Sequence, residues 1–163
     1  MAQVLYHGYS PQFTMAAASA TLPAFRIANT DTAHALQIKK YRIGMAGTGS
    51  ASCTFQVFCE STGASAAGTS TALTAISQVG GRVLAAGGIA VSGCNYTVTP
   101  TSAVFQIVDE ITLVNNQTIV YDYPWGDEPD CVLGTATGGA GVGVLLSSGT
   151  PVATTIDMWI SRI

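Results

Sequence analysis

Charge is what this chain has least of. Asp, Glu, Lys and Arg make up 9 % of its 163 residues, where an average soluble protein carries roughly 25 %. The shortage argues against disorder, which combines high charge with low hydrophobicity, since 48 % of the residues here are hydrophobic. It also argues against a nucleic-acid-binding surface. Six Lys and Arg against nine Asp and Glu leave a net charge of −3, with no basic excess to neutralise phosphates. Long apolar runs are missing as well. The longest, VLAAGGIAV at Val83–Val91, falls short of the roughly 18 apolar residues a spanning helix needs. A transmembrane barrel gathers aromatics into two girdles, whereas the 8 % here are scattered along the chain. No membrane partner is expected. The opening MAQVLYHGY has neither the positive n-region nor the apolar h-region of a secretory signal, so none is expected.

Catalytic signals are also scarce. Only His7 and His34 are present. His34 and Asp31 in DTAHA could be joined by one of many serines, but no G-x-S-x-G elbow occurs to expose a nucleophile on a strand-to-helix turn. His34 reads as an ordinary loop histidine. The stretch GGAGVGV at Gly138–Val144 lacks the glycine spacing, following helix and ribose-binding acid of a dinucleotide loop. No C-x-x-C spacing is present for zinc. Cys53 and Cys59 lie on one alternating segment, which at ~3.3 Å per residue sets them roughly 20 Å apart, beyond disulfide reach. The four cysteines are expected as buried, reduced thiols, with pairing of Cys94 or Cys131 to another strand or subunit as the alternative. Catalytic, cofactor-binding and metal-ligating residues are therefore assigned to none of the chain.

What is present is strand pattern. Runs of β-branched and aromatic residues alternate with Gly/Ser/Thr/Ala stretches that serve as loops. Strands are expected at Ala24–Thr30, Leu36–Ala46, Cys53–Glu60, Tyr96–Asp109, Glu110–Tyr123 and Ala153–Ile163, with weaker ones at Arg82–Ala86, Cys131–Thr137 and Val142–Leu146. Ser10-Pro11 has the form of a helix N-cap and first position, and Thr71–Gln78 that of a short helical turn. About eight strands at this spacing predict an all-β antiparallel sandwich, and the long loops favour a jelly-roll type. An immunoglobulin type is disfavoured because Trp125 and Trp159 follow most or all of the cysteines. Residues 1–23, with Tyr6, His7, Tyr9 and Phe13 among Gly, Pro and Ala, read as an extended N-terminal arm whose aromatics suit an interface. Residues 24–163 read as a single sandwich domain.

The few charges gather in two places. Lys39-Lys40-Tyr41-Arg42 is the only basic cluster, and on a strand its members alternate between faces, which suits an interface or solvated edge better than a phosphate site. DYPWGDEPD supplies Asp122, Asp127, Glu128 and Asp130 around Trp125. It lacks the spacing of a calcium loop and reads as an exposed acidic turn with room for a sugar contact. The candidate interface residues are Tyr6, Tyr9, Phe13, Lys39, Lys40, Arg42, Trp125 and Asp127.

The order of segments resembles a known family as a whole. A strand with a basic stretch (LQIKKYRIGMAGTGSAS) leads to an apolar strand (CTFQVFCESTGASAAGTSTALT). Later come a Trp-containing turn (YDYPWGDEPDCVLGT), a Gly-rich hairpin (GGAGVGVLL) and a closing strand (TTIDMWISRI). This arrangement resembles small virion structural proteins of tailed bacteriophages, of the jelly-roll kind that decorate or cement the capsid as trimers. The resemblance implies no catalytic residues and no cofactor. It implies a homotrimer on the capsid surface of a virion, made in the host cytoplasm, whose partner is the major capsid protein. The alternatives are a receptor- or carbohydrate-binding module of a phage fibre, with DYPWGDEPD as its site, and a self-assembling coat subunit.

Overall fold

The computed structural model describes residues 5–15, 17–47, 52–78, 92–134, 137–149 and 153–163. Its strands run β1 (Leu5–Tyr9), β2 (Phe13–Thr14), β3 (Pro23–Asn29), β4 (Leu36–Ala46), β5 (Ser52–Thr62), β6 (Thr69–Ala72), β7 (Thr74–Gln78), β8 (Gly93–Val98), β9 (Val104–Val114), β10 (Thr118–Asp122), β11 (Ala140–Gly149) and β12 (Ala153–Arg162). Among the described residues there is no helix, hence none long and apolar enough to cross a membrane. The strands form two antiparallel sheets, as the sequence predicts. The first has the order β10-β4-β12-β1-β7, with β2 added beside β12; the second has the order β6-β8-β3-β11-β5-β9.

The alternation within each strand explains which face is buried. In β12, Ile156, Met158 and Ile160 enter the core, while Asp157 and Trp159 lie on the other face. In β5, Cys53, Phe55, Val57 and Cys59 enter it from the second sheet. Strand β4 needs a correction to strict period 2. Leu36 and Ile38 are buried, and so are Tyr41, Ile43 and Met45, although Ile38 and Tyr41 are three residues apart. The pairing with β12 slips at this point, Trp159 facing Lys40 and Ile160 facing Ile38. Lys39 is thus an extra residue in a bulge, which restores the apolar set to the inner face. Tyr41 then spans the core edge, and its hydroxyl donates to Asp109 Oδ2 on β9 at 2.6 Å, tying the two sheets together. Burial and the Asp109 carboxylate both push the Tyr41 phenol far up.

All four cysteines are buried, and none is joined in a disulfide. Burial pushes Cys94 up to about 11 and Cys131 up to about 12, so neither is a thiolate at neutral pH.

Several expectations are corrected. The N-terminal segment does not project as an arm where it is described. Leu5–Tyr9 pairs with β12 on one side and β7 on the other. The segment stays attached beyond it through a Ser10 amide bond to Ile156 O, the β2 pairing and a Ser19 amide bond to Leu146 O. Its aromatics obscured a short alternation, Tyr6 inward and His7 outward. The helix expected after Ser10 is absent: the Ser10 hydroxyl accepts from the Ile156 amide instead of capping a turn. Thr71–Gln78 is extended, divided between β6 and β7. Cys131–Gly134 is irregular rather than a strand. The strand expected at Arg82–Ala86 lies outside the described residues.

The glycine-rich stretch before Val144 is the central strand β11 rather than one arm of a hairpin. Gly141 and Gly143 fall on its outer face, and a Cβ on Gly143 would sit 2.1 Å from Phe25 O and 2.7 Å from Phe58 Cζ. The absent side chains leave room for Arg26 of β3 to reach Glu60 of β5 across the strand between them. Arg26 Nε meets Glu60 Oε1 at 2.5 Å and Nη2 meets Oε2 at 3.0 Å, both side chains being 0 % exposed. Arg26 also donates to the Gly138 and Gly139 carbonyls, and Glu60 accepts from the Gly141 amide. This pair was not anticipated from the sequence, where Arg26 reads as one polar position in an apolar strand.

Candidate interaction face on the first sheet

The register of the first sheet lays two rows of side chains across its outer surface. Tyr9 pairs with Asp157, Asp157 with Arg42, and Arg42 with Val120. In the next row His7 pairs with Trp159, Trp159 with Lys40, and Lys40 with Asp122. Four strands drawn from the beginning, middle and end of the chain thus place aromatic and charged residues side by side. Directly opposed residues in a sheet stand ~4.5–5.5 Å apart at Cβ, close enough to interact along each row.

They do interact. The His7 and Trp159 rings stack at 4.3 Å with an interplanar angle of 10°, and Tyr9 lies beyond His7 at 5.7 Å. Lys40 Nζ stands 5.5 Å from the Trp159 ring centre and 3.0 Å from Asp122 Oδ2. At the centre is Asp157, whose side chain is only 7 % exposed although it lies on an outward face. Arg42 approaches its Oδ2 with Nε at 2.7 Å and Nη2 at 2.6 Å, while His7 Nε2 stands 3.2 Å from Oδ1. The carboxylate is covered by its own cationic and aromatic neighbours. These side chains are fixed to one another, so a partner meeting this face has little rotamer freedom to remove.

The candidate interface residues divide into three groups. Tyr9, Lys40 and Arg42 are together on this face. Lys39, Trp125 and Asp127 belong to one end of the sandwich. From its bulge Lys39 reaches Glu128 Oε1 at 3.0 Å and lies 5.4 Å from the Trp125 ring centre. Trp125 is 88 % exposed on a tight turn closed by the Asp127 amide to Pro124 O, with Gly126 at φ 94°. That positive φ at the third position is the one glycine takes without strain. Hydrogen bonding from Lys39 holds the Glu128 carboxyl below its ordinary value of 4.5. Tyr6 and Phe13 form the third group. Both are partly buried and pack against the core, apart from the two groups above. Tyr6 is one residue out of phase with His7, and a strand turns that single step into the opposite face.

His7, Trp159 and Asp157 were missed. Trp159 had a sequence signal, a large aromatic on the polar phase of an otherwise apolar closing strand. His7 and Asp157 had none, because only the pairing of β1 with β12 brings them together. His34 and Asp31 do meet, His34 Nδ1 standing 2.7 Å from Asp31 Oδ2, and the third member is Arg162 rather than a serine. The Ala33 amide and His34 hold the Asp31 carboxyl below its ordinary value of 3.8. Every basic side chain among the described residues has an acidic partner: Arg26, Lys39, Lys40, Arg42 and Arg162. Among the described residues no group of three or more His, Cys, Asp and Glu is placed to hold a metal ion. Comparison with protein families, with curated proteins and with solved structures finds no match for this chain.

Proposed function

We propose that the protein is a non-enzymatic structural subunit of a virion, seated on the capsid surface as a homotrimer and reinforcing contacts between major capsid subunits. The observation that carries this reading is the outer face of the first sheet. Tyr, Trp and Arg are the residue types enriched at protein interfaces, and Tyr9, Trp159 and Arg42 share one pre-ordered patch there. Strand order supports a jelly roll. With β2, β6, β7 and β8 set aside as additions, the remaining eight strands have the orders β1-β12-β4-β10 and β3-β11-β5-β9. Consecutive pairs then nest inside one another, as the two Greek keys of a jelly roll require. The pairing of all described cations supports a role in which no free basic charge is needed. A protein that binds only the assembled lattice stabilises it by linkage, whatever else it does.

The test is sedimentation of the purified chain alone and with DNA-emptied capsids of the virus that encodes it. A particle of three times the 16.7 kDa chain mass that pellets with capsids, and fails to do so as the Arg42→Glu variant, is the expected result. A monomer that stays in the supernatant ends the proposal, and spontaneous shells or tubes turn it into a self-assembling coat subunit.

The exposure of Trp125 favours a second reading, a carbohydrate-binding module of a phage fibre. An aromatic ring presented on a fixed turn beside Lys39 and Asp127 offers a stacking surface with polar neighbours. Glycan-array binding that disappears in Trp125→Ala, with capsid binding absent, selects this reading over the first.

A further inference from the structure

Lys39 and Lys40 are consecutive residues with parallel contacts in two places. Lys40 Nζ stands 5.5 Å from the Trp159 ring centre and 3.0 Å from Asp122 Oδ2. Lys39 Nζ stands 5.4 Å from the Trp125 ring centre and 3.0 Å from Glu128 Oε1. Each lysine thus meets one indole and one carboxylate, but the indoles differ in what else covers them. Trp159 is stacked on His7. Trp125, at 88 %, is the most exposed large hydrophobic side chain among the described residues.

The turn that presents Trp125 is held firmly. The Asp127 amide donates to Pro124 O across it at 3.0 Å. The Glu128 carboxylate accepts from the Gly126 amide through Oε2 at 2.6 Å while its Oε1 meets Lys39. A ring on a turn fixed in this way loses little freedom when a partner covers it, and Trp is among the residue types that carry most of the energy at interfaces. Charge decides the sign of that partner. Each described Lys and Arg lies at salt-bridge distance from an acid. Asp127 and Asp130 are exposed, and neither has such a cation among the described residues. The turn therefore joins an open aromatic face to carboxylates that no internal cation offsets.

We propose that the Trp125 turn docks an arginine side chain of a partner protein, which stacks on the exposed indole and bonds the Asp127 carboxylate. Arginine fits better than lysine, because its planar group both stacks on an aromatic face and forks toward a carboxylate. A sugar fits less well. Small-molecule sites are concave with converging polar groups, and an indole this exposed is not enclosed. The inference goes beyond the lattice reading, since it names the chemistry of a partner at one end of the sandwich, and its test uses no capsid.

The probe is an acetylated, amidated peptide, Gly-Ser-Arg-Ser-Arg-Ser-Gly, titrated into the isotopically labelled full chain and followed by amide and indole N–H shifts. Saturating shifts at the Trp125 indole and the Gly126 and Asp127 amides are expected. Affinity should fall at least fivefold in Trp125→Ala and severalfold in Asp127→Asn, and should weaken as salt is added. Both positions are exposed, so both variants should keep the parent melting temperature. Citrulline in place of each peptide arginine, which keeps the shape and removes the charge, should abolish the shifts. Four results overturn the proposal: no shifts at millimolar peptide, equal affinity for the citrulline peptide, shifts confined to the Trp159 indole, or shifts at Trp125 with a neutral hexose oligosaccharide and none with the peptide, which would assign the turn to a sugar.

Discussion

Each sheet carries an Arg–carboxylate pair on the face turned away from the core, yet the two pairs have different surroundings. Arg26–Glu60 is sealed completely, with both side chains 0 % exposed. Arg42–Asp157 has a buried acid and an arginine that is 48 % exposed. The difference follows from the neighbouring strands. Glycines on β11 let Arg26 lie flat against main chain, where the carbonyls of Gly138 and Gly139 accept from its Nη2. On the first sheet the neighbours are His7, Trp159 and Tyr9, which shield the carboxylate from the side and leave the guanidinium facing outward. The same chemistry therefore has a structural role in one place and a surface role in the other.

Breaking the sealed pair should produce the largest effect. Glu60→Ala leaves a buried guanidinium without its counter-charge and is expected to cost about 3–5 kcal/mol of unfolding free energy, measured by urea denaturation. Replacing both partners together with Met and Leu should recover most of that loss, since a buried pair is often matched by apolar packing. A variant as unstable as the single change would show that the pair itself, and not the unpaired charge, matters. Gly143→Ala comes next. Its Cβ meets the Phe25 carbonyl at 2.1 Å, and overpacking of this kind costs about 1–3 kcal/mol; an unchanged urea midpoint would remove the glycine face as the reason the pair fits.

Asp157→Ala is expected to be milder, about 1 kcal/mol or less and shrinking with added salt, because Arg42 can turn to water when its partner is gone. Under the proposed role, its binding to capsids should fall far more than its stability. Equal losses in the two measurements would make the first face structural as well.

The smallest effect concerns pH. The Glu128 carboxyl is lowered from 4.5 chiefly by hydrogen bonding from Lys39. A lowered folded value means that its contribution is present above pH 4.5 and is lost as pH falls through the folded value. Melting temperature should therefore decline on acidification below about pH 4.5, and slightly less steeply in Glu128→Gln. Identical acid limbs would show that Lys39 does not hold Glu128 in solution.

How much of this was legible in the sequence differs from strand to strand. The bounds expected for β4, Leu36–Ala46, are those observed, because its apolar residues alternate densely enough to outweigh one irregularity. The bulge at Lys39 was hidden, since an extra residue is visible only against the partner strand. The expected Tyr96–Asp109 run joined β8 to β9 and broke the latter at its middle. Pro100 and Ser102, the latter at φ 64°, mark the real turn. Strand β11 was expected only in part because glycine weakens strand propensity, and its reason for being there is a side chain 117 residues earlier in sequence. Of the interaction face, Tyr9 was legible as an aromatic of the N-terminal segment, and Lys40 and Arg42 as members of the one basic cluster. His7 and Asp157 were not.

The shortage of charge, the all-β character and the inward residues of the regularly alternating strands β5 and β12 were determined by the sequence alone, because composition and period-2 alternation are local properties. Register was decided only by the tertiary structure. Pairing β1 with β12, and β12 with β4, brings residues about 150 positions apart into one row, and a shift of a single residue would turn each strand's outward set inward. Which few charges are sealed and which face outward depends on that register, so no local pattern could have shown it.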